Sequence, residues 1–133
     1  MNAPDASYGV VLALGVNDTT EAEGRVRVEP ALALDNLTRM IDAARAIGLD
    51  VFVVGPPPAG EPAQDERVQA LAAQFAQLAA GRDVPFVETF AALRDGPDWS
   101  REAAAGDGAH PAAGGYAQLA EIVLRGGFLS WAR

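Results

Sequence analysis

At 133 residues, 50% of them hydrophobic, the chain has the length and apolar content of one folded domain covering 1–133. Its formal net charge of -8 repels phosphate backbones, so a nucleic-acid partner is not expected. With no cysteine and a single histidine, a disulfide scaffold, a cysteine nucleophile and a metal centre are all poorly supplied, and no cofactor is expected.

No apolar run approaches the ~20 residues of a membrane span. Residues 1–7 lack the basic and apolar regions of a signal peptide, and a cytoplasmic protein is expected. Residues 8–14 form a short apolar run without charge or proline, the pattern of a strand buried on both faces of a parallel sheet. Residues 15–20, Gly-Val-Asn-Asp-Thr-Thr, are turn chemistry at that strand's carboxyl end. The polar stretch 20–28 reads as an exposed loop or a short helix.

Pro30 suits a first helical turn, and Leu34, Leu37, Ile41, Ala44 and Ile47 follow at helical spacing up to a capping Gly48. A second apolar strand, 51–54, runs into Gly55-Pro56-Pro57-Pro58, a stiff loop that cannot continue a ladder. Residues 61–80 predict a second helix with Val68, Leu71, Phe75, Leu78 and Ala79 on one face. Residues 84–87 predict a third strand, placed at an edge or entry by Pro85. A helical turn at 89–93, a turn at 95–98 and a loop at 99–106 follow. The last helix is expected over 111–124 with Tyr116, Leu119, Ala120 and Val123 on its apolar face, and the tail 128–131 is apolar enough to dock on the body or on a partner.

The only histidine lies in Asp107-Gly108-Ala109-His110-Pro111. Two readings fit these five residues: a helix start with proline at its head, or a proton-handling device in which the carboxylate fixes the imidazole tautomer. Alternating strands and helices predict a parallel sheet with right-handed crossovers, and such sheets bind ligands at the carboxyl ends of their strands. Loops 15–20 and 55–60 fall at that end, and if the histidine segment returns there, three sequence-remote features converge on one site.

Gly15-Val16-Asn17-Asp18 after one strand, Gly55-Pro56-Pro57-Pro58 after the next and Asp107 to Pro111 before a last helix containing Gly-Tyr together resemble the SGNH, or GDSL-type, esterases and lipases. The resemblance runs from about Ala3 to about Leu124. It implies a flavodoxin-like three-layer α/β/α sandwich and hydrolysis of a small ester through an acyl-serine. It also implies Asn17 as an oxyanion donor, His110 as the base and Asp107 as its orienter.

The family's N-terminal Gly-Asp-Ser block, which carries the nucleophile, has no counterpart in these residues, so the fold is expected to be truncated at its N-terminus, by a misassigned start or a deletion. Ser7, Ser100 and Ser130 are the remaining serines; none is singled out and the nucleophile is left unknown. The strand 8–14 then becomes an edge with the sequence of a central strand, which predicts a homo-oligomer sealed through that edge or through uncovered helix faces. A non-catalytic oligomeric α/β binding module is the alternative function.

Overall fold

The structure is a computed structural model that describes residues 7–108 and 110–132. The leader reading over the first six residues, and Ala109 within the histidine motif, lie outside the described residues. Three parallel strands, β1 (Gly9–Ala13), β4 (Asp50–Val54) and β5 (Phe86–Val87), form a sheet in the order β1-β4-β5. Between the first two of them lie two short strands, β2 (Glu21–Ala22) and β3 (Arg25–Val26), that pair antiparallel.

Register explains the layers. Val10 stands beside Val51, Leu12 beside Val53, and Val53 beside Phe86. Val51 and Val53 face α1 (Pro30–Ala46) and α2 (Pro62–Gly81), meeting Leu37, Ile41, Leu71 and Phe75. Phe52 and Val54 point to the opposite face, where α5 (Ala113–Val123) supplies Leu119, Ile122 and Val123. Alternation along one strand thus fills both cores, and β4 is buried from Val51 through Val54 because it is covered on both sides. The result is the expected three-layer α/β/α arrangement.

α1 begins at Pro30 as its sequence predicts and gives way to Gly48 at φ 82°, a backbone state that favours glycine. Ile47, expected on the apolar face, is 75% exposed because the helix has already ended at its cap. α2 starts on Pro62 with Glu61 as N-cap, accepting from the N–H groups of Ala63 and Gln64 at 3.2 and 2.8 Å. Pro85 sits at the entry to β5, which lies at the sheet edge, and its carbonyl still accepts from Val53 N–H at 2.9 Å.

Four expectations are corrected. β1 is not buried on both faces: its residues alternate between exposed and half-buried, because it stands at the other end of the strand order. Residues 20–28 are neither loop nor helix but carry the β2–β3 hairpin, turned by Glu23 at φ 55° and Gly24 at φ 78°. Residues 99–106 are not a loop: α4 (Trp99–Ala105) follows the short α3 (Phe90–Asp95) and buries Trp99 and Ala103. The last helix begins at Ala113 and not Pro111, and Tyr116 and Ala120 are exposed while Ile122 takes a place in the core. Two consecutive positive-φ residues make the hairpin turn suited to Asn-Gly, so Glu23→Asn is expected to raise stability by a few tenths of a kcal/mol, read by thermal melting.

After α5 the chain bends at Gly126 and Gly127 and ends in α6 (Leu129–Trp131). Phe128 and Trp131 pack on Phe52 with ring centroids 5.8 and 5.4 Å away, so the tail docks on the body. Gly9 makes room for it: a Cβ there would lie 2.6 Å from the Trp131 ring. Gly9→Val is therefore expected to displace the tail at a cost of about 1–3 kcal/mol and to red-shift tryptophan emission. On α3, a hydrogen bond from the neighbouring Arg94 guanidinium, then its charge, hold the Asp95 carboxyl below its ordinary range. The stability this contributes is present above the unfolded carboxylate range and lost as pH falls, and it is small because both groups face solvent.

Candidate active site

At the carboxyl ends of β1 and β4 lies a cleft of about 550 Å³. It is lined by the loop after β1, including Asn17, by the triproline loop, and by Trp99, His110, Tyr116 and Leu119. Asn17, His110 and the prolines are far apart in sequence, and the parallel sheet brings them together at the end where α/β folds bind ligands.

The Asn17 turn is shaped from below. Gly15 adopts φ 122°, a backbone state that favours glycine, and leaves little room against the Phe75 ring, which a Cβ would approach to 3.1 Å. Asn17 opens a single 3-10 turn through Thr19, closed by Thr19 N–H on the Val16 carbonyl at 3.1 Å. Two side chains of α2 then grip that turn. The Gln64 amide donates to the Val16 carbonyl at 3.2 Å and to Thr19 Oγ1 at 3.1 Å, and Arg67 Nε donates to the Thr19 carbonyl at 2.9 Å. Asn17 itself is exposed in the cleft, with its amide on a turn fixed at several points.

The triproline loop is held in the same manner. The Gly55 N–H still donates to the Val87 carbonyl at 2.8 Å, and beyond it the backbone groups have no ladder to join and need other partners. The buried Thr89 hydroxyl donates to the Gly55 carbonyl at 2.7 Å, and Trp99 Nε1 donates to the Pro58 carbonyl at 3.0 Å. Asp65 Oδ1 accepts from Ala59 and Gly60 N–H at 2.6 and 3.2 Å. Pro56 and Pro58 are fully buried, so this wall of the cleft is a packed one.

In the loop that brings His110 to the cleft, Asp107 grips His110 twice. One carboxylate oxygen accepts the His110 backbone N–H at 2.7 Å and the other lies 2.8 Å from Nδ1. An ionised carboxylate only accepts, so Nδ1 carries a proton, and in the neutral ring Nε2 is then the nitrogen with the lone pair. Both side chains are well exposed, at 71% and 60%. Pro111 is buried and anchors the loop beyond the imidazole.

The serines fall elsewhere. Ser7 precedes β1 at the amino end of the sheet, Ser100 is exposed on α4 and Ser130 lies in the tail, and among the described residues no serine lines the cleft. Also among the described residues, no group of three or more histidine and carboxylate side chains is placed to hold a metal ion. Trp99 and Tyr116, ring centroids 5.8 Å apart and nearly perpendicular, form an aromatic wall that the sequence reading did not assign to the site. An isolated tryptophan in a polar stretch is the signal that points to it.

A family model of GDSL-like lipases and acylhydrolases matches residues 2–118. The chain therefore belongs to the GDSL-like lipase/acylhydrolase family, the SGNH hydrolases of the sequence reading, whose members as a class are ester hydrolases. Two solved structures share the fold. A GDSL-like lipase from Bacteroides thetaiotaomicron VPI-5482 superposes with a TM-score of 0.71 at 24% identity, covering 88% of this chain and 60% of that one. A proposed acylhydrolase from Bacteroides fragilis NCTC 9343 gives 0.69 at 22%, covering 86% of this chain and 58% of that one. The chain thus spans about three fifths of the length of each. No curated protein matches it.

Proposed function

We propose that this chain carries the base and one oxyanion donor of an ester hydrolase site. The observation that supports this most is the placing of Asn17 and His110 on one cleft, with His110 Nδ1 2.8 Å from Asp107 Oδ2. In this reading the carbonyl oxygen of a small ester lies toward the Asn17 amide, which stabilises the negative charge developing there. His110 Nε2 takes the proton of the attacking hydroxyl and returns it to the departing alcohol, while Asp107 holds the tautomer and offsets the imidazolium charge. The charge of -8 favours a small ester over nucleic acid as the partner. Acyl transfer to serine is impaired in this chain by itself, because Ser7, Ser100 and Ser130 all stand outside the cleft lining.

The position of those serines also favours a second reading, a non-catalytic oligomeric α/β module. An assay with a short-chain aryl ester separates the two. Hydrolysis abolished by His110→Ala supports the first, and activity that is absent or indifferent to His110 supports the second. In either reading we propose a homo-oligomer formed along β1, an end strand whose Val11 is 42% exposed. Sedimentation of a monodisperse monomer at micromolar concentration would sink that part of the reading.

A further inference from the structure

Glu102 of α4 directs both carboxylate oxygens to the segment that follows His110. One oxygen accepts from the N–H groups of Ala112 at 3.1 Å and Gly115 at 2.6 Å, and the other accepts from Gly114 N–H at 3.2 Å. The receiving helix explains the need. Ala112 occupies the N-cap of α5 with no side-chain acceptor, so the first amides would otherwise have no acceptor from their own helix. Gly114 and Gly115 let the carboxylate approach: a Cβ at Gly114 would lie 2.7 Å from one Glu102 oxygen, and a Cβ at Gly115 would lie 3.1 Å from the other and 2.5 Å from Pro111 Cβ.

The same helix fixes the other end of the histidine loop. Gly106 N–H donates to the Glu102 carbonyl at 3.1 Å, and Gly108 N–H donates to the Ala103 carbonyl at 2.8 Å. Segment 106–115 is therefore tied to α4 by backbone carbonyls at its entry and by the Glu102 carboxylate at its exit. His110 stands between the two ties, two residues before the first amide that Glu102 binds. Trp99, on the same short helix, holds the triproline wall through Pro58. One helix thus sets both the wall and the base, and an anion at the head of α5 is a charge-assisted tie of the stronger kind.

We propose that Glu102 is a positioning residue for His110, holding the loop so that the imidazole keeps Nδ1 on Asp107 and Nε2 free to act as base at the cleft. The proposal rests on the hydrolase reading for its functional meaning, but its test does not require turnover. His110 is the only histidine, so its ring nitrogen signals in a ¹⁵N-labelled sample are unambiguous. In the wild-type chain the neutral ring is expected to show the Nδ1–H tautomer.

Glu102→Gln, which keeps the shape but accepts through one oxygen, is expected to lower that tautomer's share about twofold. Gly114→Ala, whose Cβ would fall 2.7 Å from a Glu102 oxygen and so push the carboxylate away without removing it, is expected to act in the same direction. Asp95→Asn, at the exposed end of α3, should leave the signals unchanged. Where hydrolysis is measurable, kcat of Glu102→Gln should fall about tenfold with KM retained, as for a displaced base. A folded Glu102→Gln protein, by circular dichroism, with wild-type ring signals would overturn the proposal, as would a wild-type ring lacking the Nδ1–H tautomer. Absence of ester turnover in the wild type counts against the hydrolase reading alone.

Discussion

Trp99→Ala is expected to lower the unfolding free energy by about 3–5 kcal/mol, the usual cost of emptying a buried aromatic site. Trp99 is 3% exposed and caps the carboxyl end of the sheet. Its indole N–H is also the side-chain donor to the Pro58 carbonyl, so truncation leaves a buried acceptor without that partner. Trp99→Phe keeps most of the packing and loses the donor, and should cost about 1–2 kcal/mol. Urea unfolding followed by far-ultraviolet circular dichroism measures both. A Trp99→Ala protein within about 1 kcal/mol of wild type would mean that the triproline wall is held by Thr89, Asp65 and the packing of its prolines without Trp99.

Asp107→Asn is expected to leave the fold intact and to reduce any His110-dependent aryl-ester hydrolysis by about 10²- to 10⁴-fold. Both carboxylate oxygens are used on His110, one on its backbone and one on its ring. An amide in that place offers one acceptor and one donor, and a donor facing Nδ1 moves the ring proton to Nε2, the nitrogen that must act as base. Because Asp107 is largely exposed, thermal melting should shift by no more than about 2 °C. Hydrolysis unaffected by the substitution would place proton transfer elsewhere.

The long helices and the central strand were legible because their signals are local. Leu37, Ile41 and Ala44 repeat at helical spacing and all are buried, and Val51 to Val54 is an uninterrupted apolar run that becomes the covered central strand. α4 escaped because its helix is short and only Trp99 and Ala103 face inward, which is too little for a period to emerge. The β2–β3 hairpin escaped because each strand has two residues and its turn uses Glu-Gly where Asn-Gly is the familiar pair. β1 carries the apolar residues of a central strand and stands at the end of the order, the edge place expected for 8–14; its residues alone do not show this, because pairing order is set between strands, not within one.

By itself the sequence determined the residue types and their order: an asparagine after one strand, prolines after the next, and an aspartate three residues before the only histidine. These are covalent facts, and the short Asp107–His110 spacing makes the pair local enough to predict. Only the tertiary structure decided which atoms hold them in place. Gln64 and Arg67 reach the Asn17 turn, Trp99 reaches Pro58, and Glu102 reaches the amides beyond His110. Except for the last, these ties cross more than forty residues of sequence, and the Glu102 tie runs from the side chain of one helix to the backbone of another. No period or motif records such a bond; it exists because buried and terminal backbone groups must find partners, and packing brings these within reach.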